Sequence, residues 1–461
     1  MKNYYWGAFL VTALVLIILL ALNLLPDYQL FGHKMRRVDM LSELRYDKPV
    51  AALSEDTVKL EEIVEKKEII TDYVDTCESG VTCIVDYSDS THRGMSHFYA
   101  VLDSVADLDR PVRIAVFGDS FIEGDIFTAD LREMLQQHYG GKGAGYVNIT
   151  SNVANFRPTV IHKFEGWQSH SVIDSICDRA MLGLNSTYYK PRTPQAFVSL
   201  EGTSRYATGV AEAEVSQLYF MSDSSRFTLS CSVNGAEAEP VAVSGSGLRT
   251  ARVSGGIKSV KWIVNDSVPA VFWGVTMESR RGVVVDNMSL RGSAGFNFLS
   301  IPEARLRQFA AARAYDLIIL QYGLNVASEN RTSYSGYKKS MEQVIAKLKS
   351  CFPTASFLLM SVGDRMMKDD DGNLVTMPGI INLVNYQEAI AADSGIAFWN
   401  LFSAFKSLGG IKAFAEAQPP MANLDYTHIN FRGGKKLAAE LVKALMNGKE
   451  NFDKANGRAA D

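Results

Sequence analysis

RIAVFGDSFIEGDIF, residues 113–127, passes from an apolar run through Gly-Asp-Ser into an acidic stretch. With Pro111 and Val112 ahead of it, the apolar run reads as a buried strand. The following DIFTADLREMLQQHY, residues 125–139, repeats apolar residues at helical spacing and stops at Gly140-Gly141. Ser120 therefore stands where a strand hands over to a helix. Active sites of α/β sheets gather at the carboxyl ends of strands, and a hydroxyl at a helix start faces the positive end of the dipole. Two readings of Ser120 are open at this point: a nucleophile or a plain N-cap.

Outward from that stretch, the second half keeps the same rhythm. YDLIILQYG (315–323), ASFLLMSVG (355–363) and IAFWNLF (396–402) read as strands. YSGYKKSMEQVIAKLKSCF (334–352), INLVNYQEAIAADSG (381–395) and NFRGGKKLAAELVKALMNG (430–448) read as helices between and after them. Such alternation predicts a parallel sheet covered on both faces. Between 161 and 282 the helical period fades. QLYFMSD, RFTLSCSVNG, EPVAVSG, SVKWIVND and AVFWGVTME alternate instead, broken by Asn-Gly, Ser-Gly and Gly-Gly turns. That pattern predicts an antiparallel sandwich inserted into the α/β domain.

The totals bound the function. A chain of 461 residues with 47% apolar and 21% charged residues has room for two or three domains with real cores. A net charge of -4 leaves no basic footprint for nucleic acid. Trp6 to Leu25 runs without a charge, long enough to cross a bilayer as a helix, and lacks a small-x-small cleavage site. We read 1–27 as an uncleaved membrane anchor with the bulk of the chain outside the cytoplasm. Lys2 on one side and Lys34, Arg36 and Arg37 on the other do not decide the orientation. Residues 28–90, with the charged SEDTVKLEEIVEKKEIITD, read as a stalk. Residues 91–160 and 283–448 form the α/β domain, 161–282 the insertion and 449–461 a flexible tail. Cys77 and Cys83, in CESGVTC, are close enough to bridge in an oxidising compartment.

A serine needs a base to act as a nucleophile. Of seven histidines, His428 alone lies in the second half, in NLDYTHINFRGG, with Asp425 three residues before it. A carboxylate at that spacing in a tight turn can orient the imidazole, the third role of a Ser-His-Asp set; the bland alternative is a surface loop. Gly323 and Asn325 of QYGLN, and Gly292 of DNMSLRGSAG, each follow an apolar strand and could donate to an oxyanion or simply turn the chain. Trp167 and Trp273 could stack on sugar rings or fill a sandwich core. KDDDGNL, residues 368–374, reads as a charged turn, since it lacks the twelfth ligand of a calcium loop. Glu123 and Asp125 read as first-turn helix carboxylates.

Taken together, these blocks resemble the SGNH, or GDSL-type, hydrolase superfamily. FGDS matches its first block, NMSLRGS the Asn-x4-Gly of its second, YGLN its third and DYTH its Asp-x-x-His. Val326 departs from the Asp that usually follows the third block's Asn. The resemblance covers 95–160 and 283–447. It implies a flavodoxin-like three-layer hydrolase domain with Ser120 as nucleophile, His428 as base and Asp425 as its orienter. It implies an oxyanion hole from Ser120, Gly292 and Asn325, with Trp167 and Gly323 as candidate substrate contacts and no metal or organic cofactor. The lead-in to Ser120 and the position of the β insertion are similar to bacterial peptidoglycan O-acetylesterases with a carbohydrate-binding-like module. The expected function is thus a membrane-anchored serine esterase on O-acylated cell-envelope glycan, at the periplasmic face of a bacterial inner membrane. Two alternatives stand beside it: a glycan O-acetyltransferase served by a multi-span membrane acyltransferase, and a non-catalytic anchored glycan-binding protein.

Overall fold

The computed structural model describes residues 75–457 apart from 223–226, 244–246 and 266–268, together with a short antiparallel pairing of Gln29–Leu30 with His33–Lys34. The expected anchor lies outside the described residues. Among the described residues, no helix is long and apolar enough to cross a membrane.

Six strands make the central sheet. In chain order they are β1 (Val85–Asp86), β2 (Val112–Gly118), β3 (Val283–Ser289), β4 (Leu317–Gln321), β5 (Ser356–Met360) and β6 (Ala397–Trp399), laid out β3-β2-β4-β5-β6-β1. All pairs are parallel except the edge pair β6–β1. The parallel part has the doubly wound order, and the order reverses between β2 and its two neighbours. Every residue of β4 and β5 is buried. Their unbroken apolar runs are what a strand covered on both faces requires. Helices α1 (Ser96–Asp103), α2 (Thr128–Tyr139) and the long α8 (Phe431–Ala455) pack together, as do α3 (Glu303–Ala312), α4 (Ser335–Cys351) and α5 (Pro378–Ser394). The short α6 (Leu401–Ser407) and α7 (Gly410–Glu416) lead towards α8.

Between β2 and β3 the chain builds two antiparallel sheets around a second core containing Val198, Leu229, Trp262, Phe272 and Met277. The segment Ser259–Val264 alternates half-exposed and buried positions, the period of a strand with one dry face. The sandwich begins at Gly145–Asn148, which pairs with Val271–Glu278, so a stretch read as part of the α/β domain belongs to these sheets. A register shift opposite Tyr219–Phe220 places Trp273 outside the ladder. There its indole donates to Met181 O at 2.9 Å, meets Phe309 of α3 edge-on, and takes the Arg305 guanidinium over its face at 4.5 Å. Trp273 is thus a buried tie between the sandwich and the α/β domain, not a sugar platform.

A buried ion network seals the same boundary. Arg313 donates to Glu278 at 2.8 Å and to both oxygens of Asp286 at 2.6 and 2.8 Å. Arg113 reaches Glu278 at 2.8 Å, Tyr315 donates to Asp286 at 2.7 Å, and so does the Tyr146 backbone N–H at 2.8 Å. Burial alone would raise Glu278, but Arg313 and Arg113 hold it down at about 2. Removing one partner strands the others as unpaired buried charge. Arg313→Met is therefore expected to cost about 3–5 kcal/mol of stability by denaturant unfolding; a loss under about 1 kcal/mol would show that the carboxylates find other partners.

Two further expectations are corrected. Residues from Asp75 do not belong to a stalk. Thr76 bonds Asn451, the Cys77–Cys83 disulfide closes a small loop, Trp399 donates to Thr82 O at 2.9 Å, and β1 adds an edge strand. Val81, Ile84 and Tyr87 supply the apolar contacts that hold this segment down. The chain after 448 is not a free tail either: α8 continues to Ala455, because Asn451 is buried against Thr76 and Phe452 packs on Tyr99 at 5.9 Å.

Candidate active site

Three loops leave the carboxyl ends of β3, β2 and β4, where the sheet order reverses. Ser120 follows β2 by two residues and is half-buried. The expected helix does not start there. Gly124 and Asp125 adopt positive φ (64° and 70°), which breaks a continuous helix, and α2 begins only at Thr128. Neither the one-turn helix Glu123–Asp125 nor α2 has a side-chain cap, so the N-cap reading of Ser120 fails, and with it the direct helix-dipole argument. Asp125 is instead a fully buried hub. It accepts from Arg157 at 2.8 Å, Thr128 at 2.8 Å, Thr159 at 2.5 Å and Arg132 at 3.3 Å. Glu123 pairs with Arg291. Neither carboxylate is a first-turn residue of α2.

Asp119, which the sequence did not single out, organises this edge. Fully buried, it accepts from Phe121 N at 2.9 Å and from Asn325 Nδ2 at 3.2 Å, and the backbone N–H groups of Gly323 and Leu324 also bear on it. Asn325 Nδ2 donates a second bond to Ser293 O at 3.0 Å. A flipped amide would set its oxygen against a carboxylate and a carbonyl, so this orientation follows from the partners. Gly323, at φ 141°, backs onto Val362, where a Cβ would come within 2.8 Å. Its packing against Val362 gives it a structural reason independent of substrate. Gly292 lies at φ 76° in an open turn. Among the described residues, the backbone N–H groups of Ser120 and Gly292 make no hydrogen bond.

The last block arrives on the loop before α8. His428 Nδ1 lies 2.7 Å from Asp425 Oδ2, while Asp425 Oδ1 accepts from the N–H groups of Thr427 and His428 at 2.9 and 3.0 Å. Burial raises the Asp425 carboxyl, but the bonds from His428 and Thr427 outweigh it and hold the group below its ordinary value. A carboxylate acceptor at Nδ1 puts the ring proton there and leaves Nε2 as the acceptor. An Ala422–Ile429 bridge closes the loop, Asn423 N donates to His428 O at 2.8 Å, and Tyr426 O accepts from Met366. Asn430 then caps α8, accepting from Arg432 N and Gly433 N. Gly434 lies against Ile126 O, where a Cβ would come within 1.7 Å, so only glycine lets α8 approach the segment after Ser120. His428 is also near enough to Asp119 for its positive charge to favour the Asp119 carboxylate. No hydrogen bond joins Ser120 Oγ to His428 among the described residues; such bonds often form only around a bound substrate.

Trp167 sits elsewhere. Its indole donates to Phe197 O at 2.7 Å and its ring packs edge-on to Phe272 at 4.9 Å, so it is engaged in the sandwich. The KDDDGNL stretch forms the turn of a hairpin, Met366–Lys368 with Leu374–Thr376, in which Asp369 accepts from Asp371 N and Asn373 N. Beside the Ser120 loop, a cavity of about 40 Å³ is lined by Gly124, Asp125, Asn148, Asn185 and Ser289 among others. That holds a few water molecules and is too small for a sugar ring.

Burial pushes Asp119 from 3.8 up to about 6, against the pull of its hydrogen bonds. A carboxyl raised in the folded state favours folding while protonated and loses that contribution as pH rises from about 4 to about 6, roughly 2–3 kcal/mol over the window. Asp119→Asn is expected to flatten that part of the stability–pH profile. Parallel wild-type and variant profiles would mean Asp119 titrates in its ordinary range.

A search of solved structures finds a peptidoglycan O-acetylesterase at TM-score 0.65 and 20% identity, covering 80% of this chain and 99% of that one. The chain shares the fold of that enzyme. At this identity the likeness shows a shared fold alone. An acetyl xylan esterase (TM-score 0.27, 18% identity, 35% of this chain and 81% of that one) and a family two carbohydrate esterase from Cellvibrio japonicus (0.27, 10%, 67% and 98%) overlap too loosely to carry an argument. No protein-family model and no curated protein sequence matches the chain.

Proposed function

We propose that the protein is a serine esterase that removes O-acetyl groups from cell-envelope glycan, anchored through residues 6–25 with its catalytic domain outside the cytoplasm. The observation that carries the reading is the gathering of Ser120, Gly292, Asn325 and the Asp425–His428 pair on the loops at one end of the sheet. Ser120 Oγ attacks the ester carbonyl while His428 Nε2 takes its proton, and Asp425 holds the ring and stabilises its positive form. The Ser120 and Gly292 N–H groups receive the oxyanion. Asn325 contributes by sharing the hydrogen of its longer bond, the one to Asp119. His428 returns the proton to the departing sugar hydroxyl, then activates water, which releases acetate from Ser120. The Cys77–Cys83 disulfide and the long apolar N-terminal run support an exported, anchored enzyme, and the O-acetylesterase-like layout supports the glycan.

The test follows acetate release by the full chain, in detergent, from O-acetylated peptidoglycan with and without an added de-O-acetylated glycan acceptor. Free acetate at a rate unaffected by acceptor is expected. Acetyl groups moving onto the acceptor while acetate stays low would replace the esterase by a transferase. No release from the glycan, with release intact from p-nitrophenyl acetate, would overturn the substrate assignment.

A further inference from the structure

Gly292 is the third residue of a hydrogen-bonded turn, Leu290–Ser293, closed by Ser293 N donating to Leu290 O at 3.1 Å. Its φ is 76°, while Arg291 is not among the residues with positive φ. That combination marks a type II turn. Type II and type I turns differ by rotation of the central peptide, here the one joining Arg291 to Gly292, and the rotation reverses the direction of the Gly292 N–H. Glycine tolerates both forms. A donor on such a peptide is useful only if something holds one form.

The turn is tied at both ends. Leu290 N donates to Gly118 O at 2.9 Å, and Asn325 Nδ2 donates to Ser293 O at 3.0 Å. Its apex is not: among the described residues, Arg291 and Gly292 make no backbone hydrogen bond, and a Cβ on Gly292 would meet nothing within 4 Å. What holds the apex is one side chain. Arg291 Nε lies 3.0 and 3.2 Å from the two oxygens of Glu123, and its Nη2 bonds the same carboxylate. Glu123 is itself fastened to the nucleophile's loop, its N–H donating to Ser120 O at 3.3 Å. The Glu123 side chain is 16% exposed and that of Arg291 70%, so the pair spans from the edge of the site to solvent.

We propose that the Glu123–Arg291 pair is a positioning device that keeps the Arg291–Gly292 peptide in the orientation aiming the Gly292 N–H at the carbonyl attacked by Ser120. The inference rests on the oxyanion role given to Gly292 above. Both residues act through the turn and neither contacts the reacting atoms. A pair whose Arg291 end is solvated contributes little to global stability, so effects on rate and on unfolding separate.

The experiment compares Glu123→Gln, Arg291→Gln and the exchanged pair Glu123→Arg/Arg291→Glu in the full chain. With p-nitrophenyl acetate, which carries no glycan, each single variant is expected to lose about tenfold in kcat with KM within about twofold and the melting midpoint within about 2 °C. The exchanged pair is expected to recover to within about threefold of wild type, and hydrogen–deuterium exchange of the peptide spanning 290–293 to quicken in the singles alone. Single variants with unchanged kcat, or an exchanged pair as slow as the singles, overturn the proposal. So does a rise in KM for glycan with kcat intact, which would make Arg291 a substrate contact. If wild type itself hydrolyses no ester, the esterase reading fails separately. Exchange still decides the tie: faster exchange at 290–293 in the singles upholds it, and unchanged exchange removes it.

Discussion

Ser120→Ala is expected to lower kcat on p-nitrophenyl acetate and on O-acetylated glycan by at least about 10⁴-fold, while the unfolding midpoint stays within about 2 °C of wild type. The small stability effect follows from the site: Ser120 is half-buried and its side chain caps no helix. His428→Ala is expected to fall in the same range, and the double variant no lower than the worse single, because in the proposed mechanism nucleophile and base act as one unit. A Ser120→Ala enzyme that keeps more than about a tenth of the wild-type rate would place the nucleophile elsewhere.

Asn325→Ala tests the oxyanion site. Removing a side-chain donor to an oxyanion costs about 10²–10³ in kcat, and that range is expected here with KM little changed. The resting geometry gives the measurement a second edge. Both hydrogens of the Asn325 amide already face acceptors, Asp119 and Ser293 O. If the amide only tethers those groups, the loss should be about threefold, and Asp119→Asn should match it. If the amide stabilises the transition state, Asn325→Ala should exceed Asp119→Asn by at least about tenfold.

What could be read from the sequence was whatever is local in it. The apolar runs Ile114–Phe117 of β2, Leu317–Leu320 of β4 and Phe357–Met360 of β5 announce buried strands because both faces of each are covered, and the polar residues Arg113, Gln321 and Ser356 fall at or near the strand ends. The Asp425–His428 contact lies within a four-residue turn, where spacing alone brings carboxylate and ring together. Non-local arrangements left no comparable signal. Asp119 reads as one member of a Gly-Asp-Ser turn until Asn325, far along the chain, is folded against it. Arg313, Glu278 and Asp286 carry no mark in the sequence, because nothing short-range reveals a buried ion network. The start of α2 was misplaced since positive φ at Asp125, a non-glycine residue, is held by four partners, two of which, Arg157 and Thr159, lie more than thirty residues away. Residues 75–90 looked like a stalk because their hydrophobic residues are sparse and β1 gains its neighbour only when β6 arrives. Trp273 reads as a sugar platform or, more often for such a residue, a sandwich core aromatic, and a register shift decided for the buried position.

The interruption between β2 and β3 has a consequence for biosynthesis. Strand β2, which leads to Ser120, leaves the ribosome before its partners β3 and β4, which follow only after the whole sandwich has been made. At ordinary elongation rates that is a wait of about 10–30 s. Throughout it Val112–Gly118, apolar apart from Arg113, has both edges unpaired, the condition in which strands recruit one another between chains. A sandwich that folds promptly shortens the effective gap by bringing Val283 back beside Val112. Substitutions that slow the sandwich would then reduce yield of the nascent enzyme without touching the mature site, and chains truncated within 161–282 would accumulate as aggregates, not as soluble fragments.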